Sequence, residues 1–331
     1  MINTALVGFG LAGKVFHAPS VSVIESLCLK KIVSSRKNDI KVLYPNMDVV
    51  ESLDDVLGED IDLVIIATPN HMHYQQCKKA ILAGKHVVVD KPFAVTFKEA
   101  SELVELAKER SVKLSVFHNR RFDGDFLSLK ELINGGKLGN INYFESNFNR
   151  FRPVVNLAKW RETTDAAGGI FYDLAPHLID QAVNLFGPPI KLLCDIDKIR
   201  KNAKNDDYFH IILSYEKMRV HLNASMLTKN LRERFLVQGD KGSFAKFGMD
   251  PQEEFLKTGI YAEDNHGELN LASGIERLET LKGDYSLYYQ NIADSILNQA
   301  ELKVTTEEAL FIMKLIETCK ESSNNNQWRE V

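Results

Sequence analysis

Short apolar runs recur through the first third of the chain, each closed by a polar or glycine turn. Ala5-Leu6-Val7 meets Gly8, and the stretch 61–67 meets Thr68-Pro69-Asn70. His86-Val87-Val88-Val89 meets Asp90-Lys91-Pro92, and Leu114-Ser115-Val116-Phe117 meets His118-Asn119-Arg120-Arg121. Runs with almost no polar interruption predict parallel strands covered on both faces. Between them the period changes. A helix is predicted from about Tyr74 to Ala83, with Gly84 as its cap. Another follows the capping box Thr96-Phe97-Lys98-Glu99, with Ala100, Leu103, Val104 and Ala107 on one face. Repeated β-α-β units predict an α/β fold with a doubly wound parallel sheet, right-handed crossovers and ligands at the carboxyl ends of the strands.

Beyond about residue 122 the period becomes two. Val220, Leu222, Ala224 and Met226 alternate with Arg219, His221, Asn223 and Ser225, as in a strand with one buried and one polar face. Residues 141–151, 190–199, 207–215 and 234–247 read as further strands. They come without intervening helices, which predicts a mostly antiparallel sheet. The exception is a helix from Gly168 to Phe186, stopped by Gly187-Pro188-Pro189. Pro176 lies inside it and cannot donate to the Tyr172 carbonyl, so the helix is expected to start late or to kink. A second capping box, Thr305-Thr306-Glu307-Glu308, precedes Ala309, Ile312, Met313 and Ile316, and Asn324-Asn325-Asn326 reads as a frayed end. The expected division is 1–120 and 121–331, with the helix around 305–321 a candidate to pack back on the first domain.

Composition excludes several classes. The net charge of −4 over 331 residues leaves no basic footprint for nucleic acid. No apolar run reaches membrane-spanning length. The first residues already read as a core strand, so no signal peptide is expected and a cytoplasmic location is. Cys28, Cys77, Cys194 and Cys319 are far apart, without metal-ligand spacing, and fit idle thiols in a reducing compartment; no metal is expected.

The chemistry starts at Gly8-Phe9-Gly10-Leu11-Ala12-Gly13, a Gly-x-Gly-x-x-Gly turn directly after a strand. Gly8 permits the tight turn, Gly10 admits a pyrophosphate to the backbone, and Gly13 lets the next helix approach the sheet. The second strand is expected to end near Ile32-Val33, ahead of Ser34-Ser35-Arg36. An NAD site carries an acid there for the ribose 2′-hydroxyl. Two hydroxyls and an arginine suit a 2′-phosphate instead, so NADP is favoured over NAD, although Asp39 is close by. Thr68, Pro69, Asn70, His73 and Asp90 complete the expected cofactor contacts. Lys91 ends a buried strand and is held extended by Pro92, which directs it to the cofactor cleft. Asp173 and His177 lie four apart on one helical face, so a carboxylate can orient an imidazole that accepts a proton near neutral pH. Arg120, Arg152, Trp160 and Arg161 are candidate substrate contacts, and Arg121 is a weaker one.

Taken in order, Gly8-x-Gly10-x-x-Gly13, Thr68-Pro69-Asn70-x-x-His73, Gly84-Lys85-His86-Val87 leading to Asp90-Lys91-Pro92, and Gly168-Gly169 with Asp173-x-x-x-His177 resemble the Gfo/Idh/MocA oxidoreductases. Within that family the stretches Gly8 to Pro19, Ser115 to Phe126, Phe151-Arg152-Pro153, Tyr172 to Ala182 and Asp206-Asp207-Tyr208-Phe209-His210 resemble NADP-dependent scyllo-inositol 2-dehydrogenases. The resemblance implies an N-terminal Rossmann domain and a C-terminal α/β domain with a large open, mostly antiparallel sheet that builds homodimers or homotetramers. It implies Lys91, Asp173 and His177 as the catalytic trio, and a cyclic polyol or sugar whose secondary alcohol exchanges a hydride with NADP. Asp90 stands where many members have Glu, Ala167 replaces the first glycine of a common triplet, and Pro176 fills a variable position. A non-catalytic NADP-binding regulator and a reductase of another carbonyl or imine are the other readings.

Overall fold

The apolar runs of the first third are strands. The computed structural model describes residues 1–158, 160–163, 167–261 and 265–331, and the side chains of Trp160 and Arg161 lie outside the description. The chain divides into two units. One comprises Met1–Asn119, Leu256–Gly259 and Asp284–Met313; the other comprises Arg120–Phe255, Ile260–Gly283 and Lys314–Val331.

Among the described residues, the first unit holds six parallel strands: β1 (Ile2–Val7), β2 (Leu27–Val33), β3 (Asp48–Val50), β4 (Leu63–Ile66), β5 (His86–Asp90) and β6 (Leu114–Phe117). They lie in the order 3-2-1-4-5-6. This is the doubly wound dinucleotide-binding order, with its switch point between β1 and β4. Leu63 to Ile66 and Val87 to Val89 are fully buried, which explains their unbroken hydrophobicity. Thr96 caps helix Phe97–Glu109 reciprocally: the Glu99 N–H donates to Thr96 Oγ1 (3.2 Å) and the Thr96 N–H to Glu99 Oε2 (3.1 Å). Helix Ser286–Asn298, far along the chain, belongs to this unit. Its Tyr288 packs edge-on to Phe117 and donates to Ser115 Oγ at 2.9 Å.

The second unit is built on a nine-stranded sheet: β7 (Ile141–Asn147), β8 (Lys191–Asp197), β9 (Tyr208–Ser214), β10 (Arg219–Ser225), β11 (Phe235–Gly239), β12 (Gly242–Lys246), β13 (His266–Leu271), β14 (Gly274–Glu279) and β15 (Arg329–Glu330). Their order is 14-13-12-11-7-10-9-8-15. Helix Gly169–Phe186 covers the face bearing Val220, Leu222 and Ala224. Two expectations need correction and two others are narrowed. The stretch 234–247 is a hairpin of two strands turning at Asp240-Lys241, not one strand. The sheet is mostly antiparallel, as expected; among the described residues β7 and β10 make its one parallel pairing, because β7 enters from a distant part of the chain. Pro176 lies well inside helix Gly169–Phe186, so of the two expected outcomes, a late start or a kink, the late start does not occur. The tail after Asn324 is not frayed: Ser322 Oγ donates to the Gln327 carbonyl at 2.7 Å, and Arg329 pairs with Leu192.

The second unit also buries charge. Both Asp125 carboxylate oxygens are sealed from solvent without a hydrogen-bond partner, among Asp123, Asp250, Arg234 and Lys246. Burial, with the charge of Asp123, pushes its pKa up to about 7, and Arg234 opposes the rise. Burial lowers Arg234 to about 10. For an acid raised on folding, the native state binds more protons between the unfolded and folded pKa values. Stability therefore falls as pH climbs through that window, and the cost persists above it. Asp125→Asn is expected to raise the melting temperature at pH 8 by on the order of 5 °C, and to give no gain at pH 5. Equal shifts at both pH values in calorimetry would disprove this.

Candidate active site

β1 delivers the chain to Gly8, whose φ of +98° few side chains tolerate. A Cβ there would lie 2.6 Å from the Ala67 oxygen, and one on Gly13 would lie 2.2 Å from the Gly8 oxygen. Gly10 differs: an added Cβ meets nothing within 4 Å, so this part of the turn opens outward. Phe9 is buried edge-on to Tyr44, Ala12 is half-buried and Leu11 is exposed. The chain then winds through a π-helical stretch, Gly13–His17, into helix Ala18–Ser22. Two glycines fixed by crowding and a third facing open space suit a dinucleotide-binding turn.

At the end of β2, the Ser34 N–H donates to the Val50 carbonyl (3.0 Å) and Ser34 Oγ accepts the Arg36 N–H (3.1 Å). Ser35 and Arg36 are exposed, and no carboxylate stands among these three residues. At the end of β4, Thr68 Oγ1 donates to Gln76 at 2.6 Å, Pro69 leads helix-ward, and Asn70 is buried. The fully buried His73 ring spans the carbonyls of Thr68 (2.9 Å) and Pro92 (2.8 Å), so it braces the turns after β4 and β5. Burial pulls its pKa down against the opposing charge of Asp90. Asp90 accepts the Lys91 N–H at 2.8 Å, and Lys91 is half-buried before a cis bond to Pro92. Beneath lies His17, lowered to about 4 by burial, its Nδ1 2.5 Å from the Tyr289 hydroxyl.

The second unit carries Asp173 and His177 one turn apart on helix Gly169–Phe186, with His177 buried and Asp173 half-buried. Ala167, in place of a glycine, holds a φ of +54° just before that helix. Arg121 forks onto Asp180 on the same helix, with Nε at 2.9 Å and a terminal nitrogen at 2.6 Å, so its guanidinium is committed to a structural pair. Arg120 pairs with Asp123 (3.0 Å) and Glu253. Its ring neighbour is Phe148, which also faces Arg234 (4.5 Å) and Arg150 (5.9 Å). Arg152 is exposed, and its N–H donates to the Met226 carbonyl at 2.7 Å. Trp160 and Arg161 belong to the short helix Trp160–Thr163, and where their side chains reach lies outside the described residues.

Arg150 was not among the sequence candidates. It is half-buried, and among the described residues its guanidinium makes no ion pair or side-chain hydrogen bond. Burial lowers its pKa, while Asp173 pulls it up and Arg152 and Arg120 push it down. A half-buried guanidinium that feels the charge of Asp173 offers a fork of donors to a ligand's oxygens. The signal was the alternation Phe148, Arg150, Arg152, which sets two cations on one side of an extended segment.

A ligand-open glycine turn at the switch point of this sheet is that of a dinucleotide-dependent oxidoreductase. The oxidoreductase-family model for the NAD-binding Rossmann fold matches residues 2–118, and that for the C-terminal alpha/beta domain matches residues 130–331. The chain belongs to the Gfo/Idh/MocA oxidoreductase family. It is 44% identical to the oxidoreductase YdgJ of Escherichia coli (strain K12), covering 98% of this chain and 97% of the other. It is 38% identical to the scyllo-inositol 2-dehydrogenase (NADP(+)) IolW of Bacillus subtilis (strain 168), covering 98% and 95%. The solved structure of YPO2259 from Yersinia pestis superposes with a TM-score of 0.93 at 41% identity, covering 100% and 97%. No described helix is long and apolar enough to cross a membrane.

Proposed function

We propose that this oxidoreductase is an NADP-dependent dehydrogenase of a cyclic polyol or sugar, with scyllo-inositol the first candidate. The observation that carries the reading is the half-buried Arg150, which makes no ion pair among the described residues and feels the charge of Asp173: a fork of donors next to a carboxylate–imidazole pair suits a ring of hydroxyls. The activity of IolW supports the same substrate class. Gly8, Phe9, Gly10, Leu11, Ala12 and Gly13 would hold the pyrophosphate, with Thr68, Pro69, Asn70, His73 and Asp90 shaping the adjoining turns.

The bound nicotinamide supplies hydride acceptance and return at its C4. For alcohol oxidation His177 takes the hydroxyl proton, and Asp173 orients the imidazole and stabilises its charge. Lys91 donates to the same oxygen and offsets the negative charge that develops there. Arg150 and Arg152 donate to neighbouring hydroxyls and fix which carbon is presented. In this reading the polar face of the nine-stranded sheet, where Tyr143, His221 and His210 stack at 5.2 Å spacings, builds a homodimer or homotetramer. The free cysteines fit a cytoplasmic location.

Ser34, Ser35 and Arg36 favour NADP because a guanidinium and hydroxyls complement a 2′-phosphate that a carboxylate would repel. Arg36→Ala is expected to weaken NADPH binding about tenfold in fluorescence titration and to leave NADH binding nearly unchanged. Equal losses for both would remove the basis for the preference. The function itself is tested by absorbance at 340 nm with NADP or NAD against inositols, pentoses and hexoses, and with keto-inositol and NADPH in reverse. Turnover of a polyol with NADP supports the reading. Tight NADPH binding with no turnover across the panel sinks it and favours a regulator.

A further inference from the structure

Two adjacent carboxylates just before and at the foot of β9 reach both parts of the second unit that carry the candidate substrate groups. The Asp206 carboxylate accepts the Phe171 N–H (2.6 Å), and its backbone carbonyl accepts the Ile170 N–H (3.1 Å). These amides are among those a helix leaves unbonded at its N-terminus, and the N-cap residue, Gly168, has no side chain to serve them. Gly169 makes the contact possible: at φ +80°, an added Cβ would lie 2.0 Å from the Asp206 carboxylate. The acid therefore seats where only glycine leaves room.

Asp207 is fully buried and holds a different segment. Its carboxylate accepts the Ile199 N–H (2.7 Å), the Arg200 N–H (3.2 Å) and Arg200 Nε–H (2.8 Å). The buried Arg200 guanidinium donates onward to the carbonyls of Arg152 (3.1 Å) and Val154 (3.4 Å) and to Glu162 (3.2 Å). Glu162 in turn accepts the Asn156 N–H at 3.0 Å. The same loop is laid along the end of β10, where Arg150 N–H donates to the Ser225 carbonyl at 2.8 Å. A planar fork of donors can satisfy this spread of acceptors at once; an ammonium cannot.

We propose that Asp206, Asp207 and Arg200 form a positioning device that locks the helix bearing Asp173 and His177 in register with the loop bearing Arg150 and Arg152. The three residues touch no reacting atom; they act through the groups they hold. The proposal rests on the dehydrogenase reading for the roles of the residues being held.

The test uses the full-length protein with three variants. Arg200→Lys keeps the charge opposite Asp207 but loses the fork. Asp206→Ala removes the acceptor for Phe171, and Asp206→Asn restores one. Arg200→Lys is expected to raise KM for the polyol about tenfold with kcat within about twofold. Asp206→Ala is expected to lower kcat about tenfold, and Asp206→Asn to recover most of it. NADPH affinity should stay at the wild-type value throughout. Hydrogen exchange, read without substrate, should speed up over residues 151–158 in Arg200→Lys and over 169–172 in Asp206→Ala. Parallel loss of kcat and KM quality in Arg200→Lys, or an Asp206→Asn variant no better than Asp206→Ala, overturns the device. If wild-type protein turns over no polyol, the dehydrogenase reading fails alone. Exchange then decides: faster exchange in those two segments upholds the device, and unchanged exchange overturns it.

Discussion

Lys91→Ala and His177→Ala are each expected to lower kcat by about 10² or more while NADPH binding stays near the wild-type value. Lys91 stands at the end of β5, next to the turns that the glycine motif and His73 shape. His177 sits on a buried helix face with Asp173 one turn before it. A proton must leave the substrate hydroxyl as the C–H bond breaks, and a positioned base or cation contributes on the order of 10²–10⁴ to such a step. The two roles separate by pH. If His177 is the base, its loss should remove the base's ionisation from the kcat/KM profile. Loss of Lys91 should lower the whole profile and leave that ionisation in place. Weak NADPH binding by a folded His177→Ala protein, or an unchanged profile, would reject the assignment.

Arg121→Ala and Asp180→Ala should each cost about 3–5 kcal/mol of stability, the largest single-site loss expected in the second unit. The two side chains meet through a bidentate fork and are almost completely buried. Removing one takes the opposite charge of the fork away from the other in the interior. The pair itself is not strongly stabilising, since desolvation offsets much of its attraction. An Arg121→Met, Asp180→Leu double variant is therefore expected to recover most of the loss in urea melts. Single variants that lose less than about 1 kcal/mol would show that solvent reaches the pair.

The contrast between Arg120, Arg121 and Arg150 shows where legibility ends. The parallel strands of the first unit, both capping boxes and the crowding at Gly8 and Gly13 follow from local rules, because steric and periodic constraints act over a few residues. The charge partners do not. Arg120 and Arg121 are neighbours, yet they bind acids on different elements, Glu253 and Asp180. Arg150 resembles any loop arginine until its partial burial and the nearby charge of Asp173 are known. Pro176 allowed either a late start or a kink, and the first is avoided because the local cost of an interior proline is outweighed when a helix is buried along most of its length. The Asp206-Asp207 dipeptide stood out only as part of a family-like stretch, and nothing in its spacing points to Phe171 or Arg200.

The parallel pairing of β7 with β10 has a kinetic consequence. β8, β9 and β10 form one meander, and β11 to β14 form another, each closed by short-range contacts. Although β10 and β11 follow each other in the chain, they do not pair; β7 is inserted between them. Neither meander can register on the other until a strand from far upstream has threaded into the gap. Closure of such a long loop is entropically slow. The rate at which the second unit acquires its sheet is thus set by a single strand, and destabilising Phe144 at its centre should slow refolding more than it speeds unfolding.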